Sequence, residues 1–164
     1  GDLKHFFDEE AEKGGRLYAA DAAVLDNNSL GYWNRMQPVN DNTEAVVEFL
    51  QSHDEIDKIW YPSLVTKENY DVLKREKGGY GGLVSFTLKN EKKTPKFYDS
   101  LEICKGPSLG TEFSLVIPYT MIAHYDQLEW AENCGVPSHL IRLSVGLEDA
   151  GVIISRLSAA LDLV

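Results

Sequence analysis

Cysteine, net positive charge and long apolar runs are scarce or missing in this sequence of 164 residues. The two cysteines, Cys104 and Cys134, lie outside any CxxC pattern, which argues against a disulfide framework or a cysteine-based metal site. Lys and Arg number 16 against 26 Asp and Glu, and this net charge of −10 argues against a nucleic-acid footprint. No apolar run approaches the length of a membrane span, and no signal peptide opens the chain. The sequence thus predicts a cytoplasmic protein with no metal, nucleic-acid or membrane partner.

The remaining composition is typical of one globular domain. Hydrophobic residues make up 43% and charged residues 26%, and the length is sufficient for a hydrophobic core. Residues 1–20 are charged and are interrupted by Gly14 and Gly15, a pattern that predicts a mobile lead-in. We therefore expect a linker over residues 1–20 and one folded domain over residues 21–164.

Hydrophobic periodicity predicts that helices and strands alternate in this domain. A helix is predicted to start near Asp21 and to be weakened by Asn27, Asn28, Ser29 and Gly31. Pro38 is predicted to kink or split it, because an interior proline removes a backbone hydrogen bond. Beyond it the pattern predicts helices at about 41–53, 67–75, 96–101, 125–134 and 148–161, and strands at about 58–61, 82–88, 103–105, 113–117 and 140–145. The expected fold class is an α/β or α+β sandwich, in which a β-sheet is covered by helices.

The last predicted helix carries two further expectations. Val152 is expected on the same buried side as Ile153 and Leu157. Glu148 and Asp149, at the start of the helix, are expected to complement its dipole.

Arg142 stands inside an aliphatic strand. Alternation places Ile141, Leu143 and Val145 on one face, and Arg142 on the other face with Leu140 and Ser144. A guanidinium in such a strand is costly unless an anion meets it, and a planar carboxylate can accept two of its hydrogens at once. The residues alone leave two interpretations open, which are an internal salt bridge and an anchor for a ligand carboxylate.

Other conspicuous residues favour structural roles. The glycines of KGGYGG, residues 77–82, run directly into a strand rather than a helix, so they predict a turn with close backbone approach and not a phosphate site. His124 and His139 have no partner cysteines or paired carboxylates nearby in the sequence, and no metal site is predicted from them.

Five segments resemble, in order and spacing, the signature of one enzyme family. They are NDNTEAVVEFL at 40–50, IWYP at 59–62, GGLVSF at 81–86, SLG at 108–110 and IRLSVGLED at 141–149. Together they resemble the carboxy-terminal region of the Cys/Met-metabolism enzymes, which depend on pyridoxal 5′-phosphate (PLP). The variants KGPSLGTEF and PYTMIAHYDQLEWA are most similar to the fungal-type cystathionine γ-synthases.

The resemblance implies roles for two residues. Arg142 would hold the α-carboxylate of an amino-acid substrate, and Ser108 would line the active site near that carboxylate. In the family, the Schiff-base lysine lies in an S-x-T-K-type segment of a preceding domain, and no lysine here has that context. The resemblance therefore implies the small carboxy-terminal domain of a fold-type I PLP enzyme, with a mixed, mostly antiparallel sheet of about four to five strands covered by helices. Without its amino-terminal PLP domain it would neither bind PLP covalently nor act on substrate.

For the parent enzyme, the resemblance implies a homotetramer that condenses an O-acylated homoserine with cysteine to give cystathionine, in methionine biosynthesis. Pro107 and Thr111 stand where the family usually has Glu and Gly, so the reaction type stays open. Sister activities, namely O-acetylhomoserine sulfhydrylation and cystathionine or methionine lyase chemistry, are the alternatives within the family. A free-standing amino-acid-binding regulatory module that uses the same arginine is the alternative outside enzymes.

Overall fold

The computed structural model describes residues 3–14 and 17–164, which form two units, one ending at Asn34 and one running from Arg35 to Val164. The first unit contains helices α1 (Leu3–Gly14) and α2 (Ala19–Ser29) and the first residues of α3 (Tyr32–Ser52). Most of the predicted lead-in is thus helical, and Gly15 lies outside the described residues. Its mobility and a domain boundary at residue 20 remain predictions.

The second unit is built on a five-stranded sheet in the described residues. The strands are β1 (Ile56–Trp60), β2 (Leu83–Leu88), β3 (Cys104–Lys105), β4 (Leu115–Pro118) and β5 (Ile141–Ser144), in the order β1-β2-β5-β4-β3. β1 and β2, β2 and β5, and β5 and β4 pair antiparallel, whereas β3 pairs parallel with β4. The predicted mixed, mostly antiparallel sheet is confirmed, and β5 lies at its centre.

Short helices connect the strands, and several differ from their predicted bounds. They are α4 (Pro62–Val65), α5 (Lys67–Asp71), α6 (Thr94–Ser100), α7 (Tyr119–Ala123), α8 (Leu128–Asn133) and α9 (Ala150–Leu161), with 3₁₀ turns at Glu91–Lys93 and Tyr125–Gln127. α5 ends before its predicted limit, because Val72 and Leu73 are 82% and 87% exposed and gain nothing from packing. α7 was not predicted, since five residues are too few to show a helical period.

One face of the sheet carries the hydrophobic core. Its fully buried side chains come from the two central strands, from α3, from α6 and from α9; examples are Phe86, Ile141, Leu143, Val46, Leu50, Phe97, Ile153 and Leu157. Each such side chain contributes about 1.5–3 kcal/mol relative to exposure. The expectation that Val152 lies on this face is wrong, since its side chain is 43% exposed. Ile153 and Leu157 form the buried stripe of α9, and Val152 is rotated out of that stripe by one residue.

The predicted split at Pro38 is wrong, since α3 continues through the proline without interruption, and the alternative kink stays a prediction. The lost backbone hydrogen bond lies on an exposed turn, whereas Val46 and Leu50 further along the helix are fully buried against the sheet. Burial of this face offsets the cost of the proline. The chain breaks instead at Leu30–Gly31, after the poor helix formers Asn27 and Asn28.

Gly146, directly after β5, has no room for a side chain. A Cβ atom there would lie 2.6 Å from the backbone oxygen of Glu112 and 2.6 Å from the carbonyl carbon of Phe113. Because backbone atoms cannot move aside as a flexible side chain can, Gly146→Ala should lower the free energy of unfolding by about 1–3 kcal/mol, measured by urea denaturation.

Gly31→Ala is the matched control, because a Cβ atom at that position meets nothing within 4 Å. Neither glycine has a positive φ, so the pair compares steric contact alone. Gly31→Ala should leave stability unchanged or slightly raised. Equal stability of the two variants would contradict the close contact at Gly146.

Candidate functional site

Arg142 lies in the middle of the sheet, on the face opposite the core. Its Cα pairs with Ser85 of β2 on one side and with Ile117 of β4 on the other. Ile141 and Leu143, its neighbours in the chain, are fully buried, whereas Arg142 is half-buried. The alternation predicted from the sequence is confirmed.

Two neutral groups hold the guanidinium. Its Nη2 donates a hydrogen bond to the carbonyl oxygen of Pro107 at 2.6 Å, and its Cζ lies 5.2 Å from the ring centroid of Tyr119. Arg142 forms no ion pair with a carboxylate in the described parts of the chain. The internal salt bridge, one of the two interpretations of the sequence, is therefore absent from residues 3–14 and 17–164.

The remaining hydrogens of Arg142 are suited to a planar anion. A guanidinium has five N–H hydrogens, and the two hydrogens of Nη2 belong to different edges of the group. The bond to Pro107 uses one of them. One edge with two parallel N–H groups is therefore left, which is the arrangement that a carboxylate accepts in bidentate fashion.

The segment that follows Pro107 is held at both ends by β5. Arg142 binds the Pro107 carbonyl, and the backbone N–H of Gly110 donates to the hydroxyl of Ser144 at 3.2 Å. Gly110 has φ +69°, a value that favours glycine and lets the chain turn at this point. Ser108 lies between the two attachments, is exposed, and its hydroxyl has no hydrogen-bond partner in the described residues.

A polar cluster closes the end of β5. The carboxylate of Glu148 accepts from the backbone N–H of Ser114 at 2.7 Å and from its hydroxyl at 2.9 Å. The same hydroxyl accepts from the N–H of Gly146 at 2.9 Å. The expectation that Glu148 complements the dipole of the last helix is wrong, because α9 begins at Ala150 and the carboxylate is used by Ser114. Asp149 is the N-cap, accepting from Gly151.

The sequence analysis missed the role of two asparagines in α3. The Asn42 amide donates to the carbonyl oxygens of Gly146 at 3.1 Å and Glu148 at 2.7 Å, and Asn40 accepts from the N–H of Gly81 at 2.9 Å. Asparagine is a poor helix former, so two of them within a helical stretch were the available signal. The predicted close approach of the glycine turn is confirmed, because a Cβ on Gly82 would lie 2.4 Å from Val39.

A small cavity adjoins this face of β5. It has a volume of about 110 Å³ and a mostly apolar lining. The lining residues are Arg35, Met36, Val39, Gly82, Leu83, Leu109, Gly110, Thr111, Ser144 and Val145. Since Ser144 and Arg142 share a face of β5, the cavity lies next to the candidate site.

The described residues do not fit a PLP site by themselves. The lysines whose side-chain contacts are defined bind elsewhere, as Lys67 does with Asp71 and Lys93 with Glu55, and no lysine of the described residues lines the cavity. Within the same residues no group of three His, Cys, Asp or Glu side chains could hold a metal ion. No helix described here is long and apolar enough to cross a membrane.

Comparison with known proteins decides the family. Residues 7–162 match the Cys/Met metabolism PLP-dependent enzymes. The chain belongs to this family. The resemblance drawn from the five motifs is confirmed, and so is the placement in a PLP-dependent group of enzymes.

The most similar curated relatives of this family member include two fungal cystathionine γ-synthases. The enzyme of Neurospora crassa is 41% identical over 160 residues, which cover 97% of this chain and 25% of the relative. That of Saccharomyces cerevisiae is 42% identical over 153 residues, covering 89% of this chain and 24% of the relative. The chain thus spans about a quarter of the length of these relatives.

Solved structures confirm the fold class. The cystathionine γ-synthase of Xanthomonas oryzae pv. oryzae, in complex with cystathionine, matches with a TM-score of 0.71 and 27% identity, over 80% of this chain and 35% of that one. An O-acetylhomoserine (thiol)-lyase from Campylobacter jejuni, which contains a pyridoxyl-lysine, also has a TM-score of 0.71, with 28% identity over 80% of this chain and 32% of that one.

Asn42→Ala tests the link between α3 and the end of β5. The substitution removes two hydrogen bonds to carbonyl groups next to the site. We expect a loss of about 1–3 kcal/mol in the free energy of unfolding, although alanine is the better helix former. The measurement is urea denaturation followed by circular dichroism.

The control is Gln51→Ala, an exposed amide in the same helix. It should change stability by less than about 0.5 kcal/mol. If Asn42→Ala were as stable as this control, the two bonds of Asn42 would contribute nothing to the fold.

Proposed function

We propose that this chain is the part of a cystathionine γ-synthase-type enzyme that binds the substrate carboxylate. The observation that supports it is the guanidinium of the half-buried Arg142, which is held by neutral partners and has one two-hydrogen edge left. Partial burial makes an uncompensated cation costly, and an incoming carboxylate removes that cost. The site is therefore complementary to an anion before any substrate arrives.

Ser108 is proposed to complete the carboxylate site. Ser108 follows Pro107, whose carbonyl oxygen accepts the hydrogen bond from Arg142. The Ser108 hydroxyl has no hydrogen-bond partner in the described residues. A hydroxyl placed next to a bound carboxylate can donate one further hydrogen bond. Arg142 and Ser108 would thus fix the α-carboxylate and orient the amino acid, which is a positioning role rather than proton transfer.

The proposed reaction follows the cystathionine γ-synthases among the relatives. The thiol of cysteine would displace the acyloxy group from the γ-carbon of an O-acylated homoserine, forming a C–S bond and releasing the carboxylic acid. The cofactor and its lysine would be supplied by a domain outside these 164 residues. We further propose a cytoplasmic homotetramer for the assembled enzyme.

A sister activity is the second candidate, favoured by the Campylobacter jejuni thiol-lyase among the structural matches. The full-length protein should be offered one O-acylhomoserine with either cysteine or sulfide. A higher kcat/KM with cysteine supports cystathionine synthesis, and a higher kcat/KM with sulfide supports the sister reaction. A free-standing regulatory module would instead be recovered from its source as a protein of only about this length and without turnover.

Arg142→Ala in the full-length protein tests the carboxylate anchor. Loss of a bidentate, charge-assisted contact in a partly enclosed site is worth about 2–4 kcal/mol, so kcat/KM should fall by roughly 30- to 1,000-fold. Arg142→Lys should recover only part of this loss, because lysine keeps the charge without the planar edge. Steady-state kinetics with the amino-acid substrate provide the measurement.

Cofactor content and thermal unfolding serve as controls for both variants. We expect PLP uptake and the unfolding temperature to stay near those of the wild type. A purely structural arginine would give the opposite result, with poor folding and no selective effect on substrate. An Arg142→Ala variant that holds PLP and retains wild-type kcat/KM would exclude the proposed role.

The chain alone should not form a specific covalent adduct with PLP. No lysine has the sequence context of the family's Schiff-base lysine, so only slow adducts of surface lysines are expected. Absorbance spectra of the chain titrated with PLP would show this, with the Campylobacter jejuni thiol-lyase, which contains a pyridoxyl-lysine, as the positive control. A stoichiometric visible band that disappears on substitution of a single lysine would contradict the prediction.

A further inference from the structure

We infer that Tyr119 is a positioning residue that fixes the plane of the Arg142 guanidinium for carboxylate binding, an inference that rests on the proposed function. Tyr119 is the first residue of α7, directly after β4. Its ring centroid lies 5.2 Å from Cζ of Arg142, the distance of a cation–π contact. No role for this tyrosine follows from the sequence motifs.

The backbone of Tyr119 is fixed relative to β5. Its N–H donates to the carbonyl oxygen of Leu140 at 2.9 Å, one residue before the strand that carries Arg142. The next residue, Thr120, is fully buried and its hydroxyl donates to the carbonyl oxygen of Pro137 at 2.7 Å. The start of α7 is therefore attached at two points to the segment that leads into β5.

Further aromatic rings support Tyr119 from the side of the short helices. The His124 ring lies 6.0 Å from that of Tyr119 at an interplanar angle of 72°, and the Trp130 ring lies 5.8 Å from that of His124. Tyr119 and His124 are half-buried, and Trp130 is 58% exposed. These rings limit the rotation of Tyr119, because each contact is lost when its ring turns away.

The two contacts of Arg142 constrain different degrees of freedom. The Pro107 carbonyl fixes one N–H direction, and we infer that the Tyr119 ring, whose centroid lies 5.2 Å from Cζ, restricts the plane of the group. An arginine side chain has several rotatable bonds and loses considerable rotamer freedom when it binds a ligand. Restriction of the plane before binding removes part of that entropic cost from the binding step. Tyr119 would thus strengthen carboxylate binding without touching the substrate.

The inference makes the aromatic ring, not the hydroxyl, the group that matters. Tyr119→Phe keeps the ring, and Tyr119→Leu keeps an apolar side chain but has no π face. In the full-length protein, Tyr119→Phe should therefore leave KM for the O-acylhomoserine within about 2-fold of the wild type. Tyr119→Leu should raise that KM by roughly 3- to 30-fold, the range of a partly desolvated cation–π contact, with a smaller change in kcat.

The decisive experiment is a double-mutant cycle of Tyr119→Leu with Arg142→Ala, followed by kcat and KM together with PLP content and unfolding temperature. If Tyr119 acts through the arginine, Tyr119→Leu should have no further effect on KM once Arg142 is alanine. Equal losses in both backgrounds would overturn the inference, as would a Tyr119→Phe variant that is as impaired as Tyr119→Leu. So would a Tyr119→Leu variant with wild-type KM.

The cycle also separates this inference from the proposed function. If Arg142→Ala alone leaves KM and kcat/KM unchanged, the carboxylate anchor itself is wrong. If Arg142→Ala is impaired while Tyr119→Leu is not, the anchor stands and the role of Tyr119 is rejected. A Tyr119→Leu variant with normal PLP content but a lowered kcat at unchanged KM would also reject it.

Discussion

The direction of the site's side chains depends on the burial of one face of β5. Ile141 and Leu143 are fully buried in the core, and side chains alternate along a strand, so Arg142 and Ser144 must point to the other face. A shift of register by one residue would place the guanidinium in an apolar core and expose the aliphatic side chains. The high cost of that state means that the core determines where the cation lies.

The sequence was most informative where a local pattern decided the outcome. The alternation in β5 and the approximate positions of the strands were predicted because apolar side chains need a buried face, and that need is visible in neighbouring residues. The continuity of α3 through Pro38 was not, because it depends on how the helix packs against a sheet that is distant in the sequence.

The contacts of the candidate site could not be predicted from local sequence patterns, because they join residues that are distant in the sequence. The bond from Arg142 to Pro107 spans 35 positions, and the bond from Asn42 to Glu148 spans 106. Family resemblance identified Arg142 and Ser108 as candidates, but it did not reveal what holds them. The structure adds that the loop of Ser108 is attached through main-chain atoms of Pro107 and Gly110, so its position depends little on the side chains it carries.

This mode of attachment has a consequence for how such enzymes can diversify. Because both ends of the segment are held through backbone atoms, the exposed side chain of Leu109, which lines the neighbouring cavity, can be exchanged without breaking either bond. The lining of that cavity can then vary while the fold and the two attachments stay the same. If Arg142 and Ser108 hold the substrate carboxylate as proposed, selectivity for the rest of the substrate is separable from the capacity to hold an amino acid, and the two can evolve at different rates.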